Sequence, residues 1–213
     1  MPQSVLKLID RRSVVPVLTV SDPRKAVLVA EALARAGMKL VEVTLRTESA
    51  LEAAEAIIRE LPNLIVGVGT VATADQLKAS YDCGARFAVS PGLTPGLADA
   101  AEALAMPYLP GVQTVSEVLQ AREFGFDALK LFPAELAGGI PLLKQYAALF
   151  PTISFCPTGG ISEKDLRNYL QEPNVFSVGG SWLAPANLID ASDWSSIEKL
   201  ARHAVQICQQ FAN

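Results

Sequence analysis

Histidine is nearly missing from this chain: among 213 residues there is one, His203. Cysteine is scarce too, with Cys83, Cys156 and Cys208 and no C-x-x-C pair. A structural or catalytic zinc site needs several such ligands at short spacing, so no metal is expected. Three cysteines without a repeated spacing read as reduced thiols in a cytoplasmic protein. No apolar run approaches the ~18 residues of a membrane span. The first residues, MPQSVLKLIDRR, lack the apolar stretch and small-residue cleavage site of a signal peptide. Positive charge is not in excess, with 18 Lys and Arg against 22 Asp and Glu and a net charge of -4. That argues against a nucleic-acid or membrane-surface partner and leaves a small substrate as the expected one. No linker or low-complexity segment interrupts the sequence, so residues 1–213 are expected to form a single domain.

What the chain does have is a repeat of short apolar runs, each followed by a longer stretch at helical spacing. Eight runs read as strands: Val14–Val20, Leu40–Arg46, Leu64–Thr70, Arg86–Pro91, Tyr108–Val112, Ala128–Pro133, Ile153–Gly159 and Val175–Ser181. Helix-start signals follow most of them. Ser21-Asp22-Pro23 and Thr94-Pro95 offer a cap and then proline at the first helical position. Thr73 to Gln76 and Thr114 to Glu117 match the capping box. Eight strand–helix units imply parallel strands joined by crossovers. The spacing predicts an α/β fold, a single (β/α)8 barrel, with an extra N-terminal helix over Gln3–Arg11 and a closing helix over Ser195–Phe211. An open doubly wound sheet is the alternative, but no G-x-G-x-x-G follows the first strand.

In such barrels the chemistry lies at the C-terminal ends of the strands. Polar residues inside apolar strands are therefore the candidates. Lys130 stands in Ala-Leu-Lys-Leu-Phe-Pro, and burial favours the neutral amine that can attack a ketone. The competing reading is a strand-end lysine that reaches solvent. Glu42, in Leu-Val-Glu-Val-Thr-Leu-Arg, shares a face by parity with Thr44 and Arg46. It reads as a general acid/base, or as the counter-ion of Arg46 or Lys130. Arg46 suits a substrate carboxylate, because its fork donates two hydrogen bonds. Gly159-Gly160 and Gly179-Gly180-Ser181 each follow a strand and precede a helix start, where backbone N–H groups can hold an anion. Thr70 and Pro91 end strands and could line the site, and Phe132 has the parity of Lys130. His203 lies far from every strand end. Cys156 reads as a core thiol, since no histidine is placed to activate it.

Taken together, Glu42-Val-Thr-Leu-Arg-Thr-Glu48, Gly67-Val-Gly-Thr70, Ser90-Pro-Gly92, Lys130-Leu-Phe-Pro-Ala134, Cys156-Pro-Thr-Gly-Gly160 and Val178-Gly-Gly-Ser-Trp182 resemble the bacterial 2-keto-3-deoxy-6-phosphogluconate aldolase family. The resemblance runs in order from about Val14 to the C-terminus. The family also acts on 4-hydroxy-2-oxoglutarate, forms homotrimers and needs no metal or other cofactor. The resemblance implies that Lys130 is the Schiff-base lysine and Glu42 the proton-transferring glutamate. It implies that Arg46 and Thr70 contact the pyruvate half, and that Pro91 and Phe132 give apolar contacts. Thr158 then influences recognition of the C4 hydroxyl, while Gly159, Gly160, Gly180 and Ser181 bind phosphate. A galactonate-type aldolase, a metal-dependent aldolase, a phosphosugar isomerase and a non-catalytic sugar-phosphate-binding barrel are the alternatives.

Overall fold

The computed structural model describes residues 3–211. Nine strands are present among them, all paired in parallel. They are β1 (Ser13–Leu18), β2 (Leu40–Thr44), β3 (Ile65–Gly69), β4 (Phe87–Val89), β5 (Tyr108–Leu109), β6 (Gly111–Val112), β7 (Ala128–Leu131), β8 (Ser154–Pro157) and β9 (Ser177–Gly180). Each of the eight expected runs contains a strand. The fifth run holds two short ones, because Pro110 has no N–H to continue the ladder. Strands β5-β4-β3-β2-β1-β9 form one sheet and β6-β7-β8 a second. Isolated parallel bridges, Phe155 to Val175 and Thr158 to Gly179, lie between the β8 and β9 segments. The fold is α/β with a curled parallel sheet.

Helices α1 (Pro23–Arg35), α2 (Ala50–Glu60), α3 (Ala74–Asp82), α4 (Pro95–Ala103) and α5 (Val115–Glu123) follow the first strands in turn. After β7 come α6 (Ala134–Ala137) and α7 (Gly139–Leu149), after β8 comes α8 (Leu166–Gln171), and after β9 come α9 (Ala186–Asp190) and α10 (Trp194–Gln209). The expected caps are in place. Asp22 accepts from the Arg24 N–H and Pro23 opens α1. Thr94 accepts from Leu97 N–H, and Thr114 with Glu117 makes the full reciprocal box. At α3 the box is altered: Thr73 accepts from the Gln76 N–H, but the Gln76 side chain accepts from Ala72.

The expected N-terminal helix over Gln3–Arg11 is not formed. Only a three-residue 3-10 turn, Val5–Lys7, is helical there, with Ser4 as its cap. A nine-residue pattern is too short to hold a helix without packing on one face throughout. Val5 and Ile9 instead insert among Val15, Leu40, Phe87, Leu109 and Ala128, most of them at strand starts, and close that end of the inner core.

Two apolar clusters show how the strands divide their side chains. Val41, Val43, Leu129 and Leu131 face the helices in the larger cluster. Leu40 and Ala128 face inward with Val15, Val89 and Cys156. Alternation then turns Glu42 and Lys130, each two residues further on, to that same inner surface.

Candidate active site

Lys130 and Glu42 meet on the inner surface. Lys130 Nζ lies 3.5 Å from Glu42 Oε1, and the two side chains are 6% and 4% exposed. The chain separates them by 88 positions. Lys130 sits on β7 between Gly111 of β6 and Cys156 of β8. The Phe132 ring covers the amine, its centroid 5.1 Å from Nζ. Of the alternatives for Glu42, the structure selects Lys130 as its partner and not Arg46. Strand β2 ends at Thr44, so the parity that put Arg46 on the same face fails one residue later, where the chain turns. Thr44 itself is buried and donates to the Leu18 carbonyl at 2.9 Å, with the Thr19 hydroxyl also at 2.9 Å.

Space for the Glu42 carboxylate comes from Gly69 on the adjacent strand. A Cβ on Gly69 would lie 1.9 Å from Glu42 Oε1. The signal was present, since β3 carries Gly67 and Gly69 on the face that alternation gives to Glu42.

The other expected residues occupy defined places around this pair. Thr70 directly follows β3 with φ 61°, a conformation that costs a β-branched residue about 1–3 kcal/mol. Thr158 is buried, donates to the Cys156 carbonyl at 3.3 Å, and packs so tightly on Gly179 that a Cβ there would meet its Oγ1 at 2.2 Å. Gly159 and Gly160 form a turn with φ 98° and 80°. Gly180 ends β9 under the Trp182 ring, and Ser181 is exposed beside it. The expected helix starts after these turns are displaced. A 3-10 turn begins only at Glu163, and α9 only at Ala186, because Pro185 caps it. Arg46 and Pro91 are exposed just beyond β2 and β4. Lys130 thus meets both Glu42 and the Phe132 ring, while Arg46, Pro91 and Ser181 are exposed.

Burial pushes the Cys156 thiol up to about 12, with the Lys130 charge acting the other way, which favours the neutral thiol over the reactive thiolate. His203 is on the surface, 2.7 Å from Glu163. Among the described residues, no three His, Cys, Asp or Glu side chains cluster as a metal site requires. A cleft of about 490 Å³ opens elsewhere, lined by Lys7, Asp10, Arg12 and Lys39 among others, and holds none of these residues. Its wall includes Gly37 and Gln209, beside the C-terminal ends of α1 and α10.

A buried amine held against a carboxylate, beside a turn of two glycines, suits imine chemistry on an anionic keto acid. The family model described as "Aldolase: KDPG and KHG aldolase" matches residues 5–200. This chain belongs to that family. It is 47% identical over 193 residues to the KHG/KDPG aldolase of Escherichia coli strain K12, covering 91% of each chain. The KDPG aldolase from Legionella pneumophila, solved with pyruvate captured as a covalent carbinolamine intermediate, superposes with a TM-score of 0.88 at 43% identity, covering 90% of this chain and 93% of that one. The 2-keto-3-deoxy-6-phosphogluconate aldolase of Zymomonas mobilis ZM4, solved with 3-phosphoglycerate, gives 0.85 at 43% identity, covering 90% of both. Aldolases of this family are carbon–carbon lyases.

Proposed function

We propose that this chain is a class I aldolase that cleaves 2-dehydro-3-deoxy-6-phosphogluconate to pyruvate and glyceraldehyde 3-phosphate. The 3.5 Å approach of Lys130 Nζ to Glu42 Oε1 within the buried inner surface carries the reading. Lys130 attacks the C2 ketone, and the carbinolamine loses water to give a protonated imine. That imine is an electron sink. Removal of the C4 hydroxyl proton breaks the C3–C4 bond, and the bonding pair passes into an enamine while the aldehyde leaves. The enamine takes a proton at C3, water hydrolyses the imine, and pyruvate departs with the lysine restored. Glu42 moves the protons, directly or through a water, and such help is commonly worth ~10²–10⁴-fold.

Arg46 and Thr70 hold the pyruvate carboxylate end, and Phe132 and Pro91 wall the keto acid. Thr158 faces the C4 hydroxyl, and Gly159, Gly160, Gly180 and Ser181 receive the phosphate. The shorter 4-hydroxy-2-oxoglutarate, cleaved to pyruvate and glyoxylate, is the second substrate, in keeping with the name of the Escherichia coli relative.

The two sheets are read as one closed (β/α)8 barrel in a single domain over 1–213. The β8–β9 bridges and the β5–β6 run through Pro110 support this closure. The active form is read as a homotrimer, as the resemblance to the family implies. A cytoplasmic setting agrees with the free thiols of Cys83, Cys156 and Cys208. No helix among the described residues is long and apolar enough to cross a membrane.

Borohydride reduction in the presence of pyruvate tests the mechanism. A pyruvate-derived mass on Lys130 is expected, and its absence rules out the covalent route.

A further inference from the structure

We infer that Glu135 and Tyr169 are positioning residues that clamp the Gly159–Gly160 turn at a fixed distance from Lys130, and so set the affinity for phosphorylated substrates. The inference rests on the aldolase reading above and concerns two residues to which that reading gives no role.

The turn is held on one side by the segment that leaves the lysine strand. Ala134 N–H donates to the Thr158 carbonyl at 2.8 Å, and Glu135 N–H to the Gly159 carbonyl at 3.2 Å. A Cβ on Gly159 would lie 3.2 Å from both Phe132 and Pro133, and one on Gly160 would lie 2.8 Å from the Glu135 Cβ. The glycine backbone therefore rests directly on residues 132–135, only two to five positions beyond Lys130.

Helix α8, which follows the turn along the chain, is tied back to the same segment through Glu135. Tyr169, 1% exposed, donates its hydroxyl to Glu135 Oε1. Burial, reinforced by this carboxylate, raises the Tyr169 pKa, so the phenol stays a donor. Residues 159–165 between the strand end and α8 are thus bracketed by one side-chain tie. A buried hydroxyl with a single charged acceptor is costly to leave unpaired, which keeps the tie closed. A phosphate held by the turn feels this placement. The shorter 4-hydroxy-2-oxoglutarate carries no phosphate and does not.

The pair can be tested by steady-state kinetics on both substrates with Tyr169→Phe, Glu135→Ala and Glu135→Gln. In Tyr169→Phe and Glu135→Ala, KM for 2-dehydro-3-deoxy-6-phosphogluconate is expected to rise about fivefold, with kcat within about twofold. Cleavage of 4-hydroxy-2-oxoglutarate should stay within about twofold. Glu135→Gln keeps an acceptor for the phenol and should restore KM to near the wild-type value. Equal losses on both substrates, an unchanged or lowered KM in both variants, or failure of Glu135→Gln to restore it would each overturn the clamp. Borohydride trapping of pyruvate on wild-type Lys130 keeps the two readings apart. If trapping fails, the aldolase reading falls; if it succeeds and KM does not discriminate, only the clamp falls.

Discussion

Gly69 and Glu42 share one volume across neighbouring strands, so that any Cβ at Gly69 would stand 1.9 Å from the Glu42 carboxylate oxygen. Both are on the inner surface, and Thr44 pairs with Gly69 in the β2–β3 ladder. Gly69→Ala should therefore push the carboxylate away from Lys130 while leaving the strand intact. The expected result is a kcat at least about 100-fold lower, the lower end of what positioned proton transfer contributes. A circular dichroism spectrum and melting curve close to wild type would assign the loss to Glu42's displacement. A kcat within a few-fold of wild type would show that Glu42 does not need its present place.

The Lys130–Glu42 ion pair makes a second prediction, on stability. Removing one partner of a buried pair leaves the other uncompensated, at a cost of about 3–5 kcal/mol. Lys130→Met should show that loss in urea unfolding and should abolish pyruvate trapping. Adding Glu42→Gln to Lys130→Met should recover much of the stability and none of the activity. Additive losses in the double variant would mean that the two groups are not energetically coupled.

Thr70 offers an exchange of stability for function. Its φ of 61° is strained for threonine and free of strain for glycine. Thr70→Gly removes this local strain, while glycine's larger unfolded-state entropy offsets about 0.5–1 kcal/mol of the gain. The melting temperature should hold or rise. The kcat/KM for keto acid cleavage should fall about tenfold or more, through loss of the hydroxyl. A variant that melts lower and keeps full activity would contradict both halves.

Alkaline pH should destabilise the fold in a defined window. Burial pushes Cys156 from 9.0 and Tyr108 from 10.0 up to about 12 in each case. Both are neutral when protonated, so between about 9 and 12 the unfolded chain releases protons that the native state retains. Their stabilising contribution is complete below about pH 9 and is lost as pH rises toward about 12. Melting temperatures measured from pH 8 to 11 should fall accordingly. The slope should be shallower in Cys156→Ala, and an unchanged slope would discount the thiol.

The amino-acid sequence by itself determined the local terms of this protein. Alternation in Leu40–Thr44 and Ala128–Leu131 put Glu42 and Lys130 inward, because the period of a strand is fixed by backbone geometry. Asp22, Thr94 and Thr114 cap helices where expected, because a cap is a hydrogen bond that reaches only two or three residues along the chain. The tertiary structure alone decided the rest. It chose Lys130 over Arg46 as the partner of Glu42, since that pairing depends on how β2 and β7 face each other across 88 positions of chain. It reduced the first helical pattern to a turn, since Val5 and Ile9 gain more by entering the inner core than by completing a short isolated helix. It gave Gly69, Glu135 and Tyr169 their places, because those depend on which atoms occupy the neighbouring volume, and no spacing along one strand encodes that.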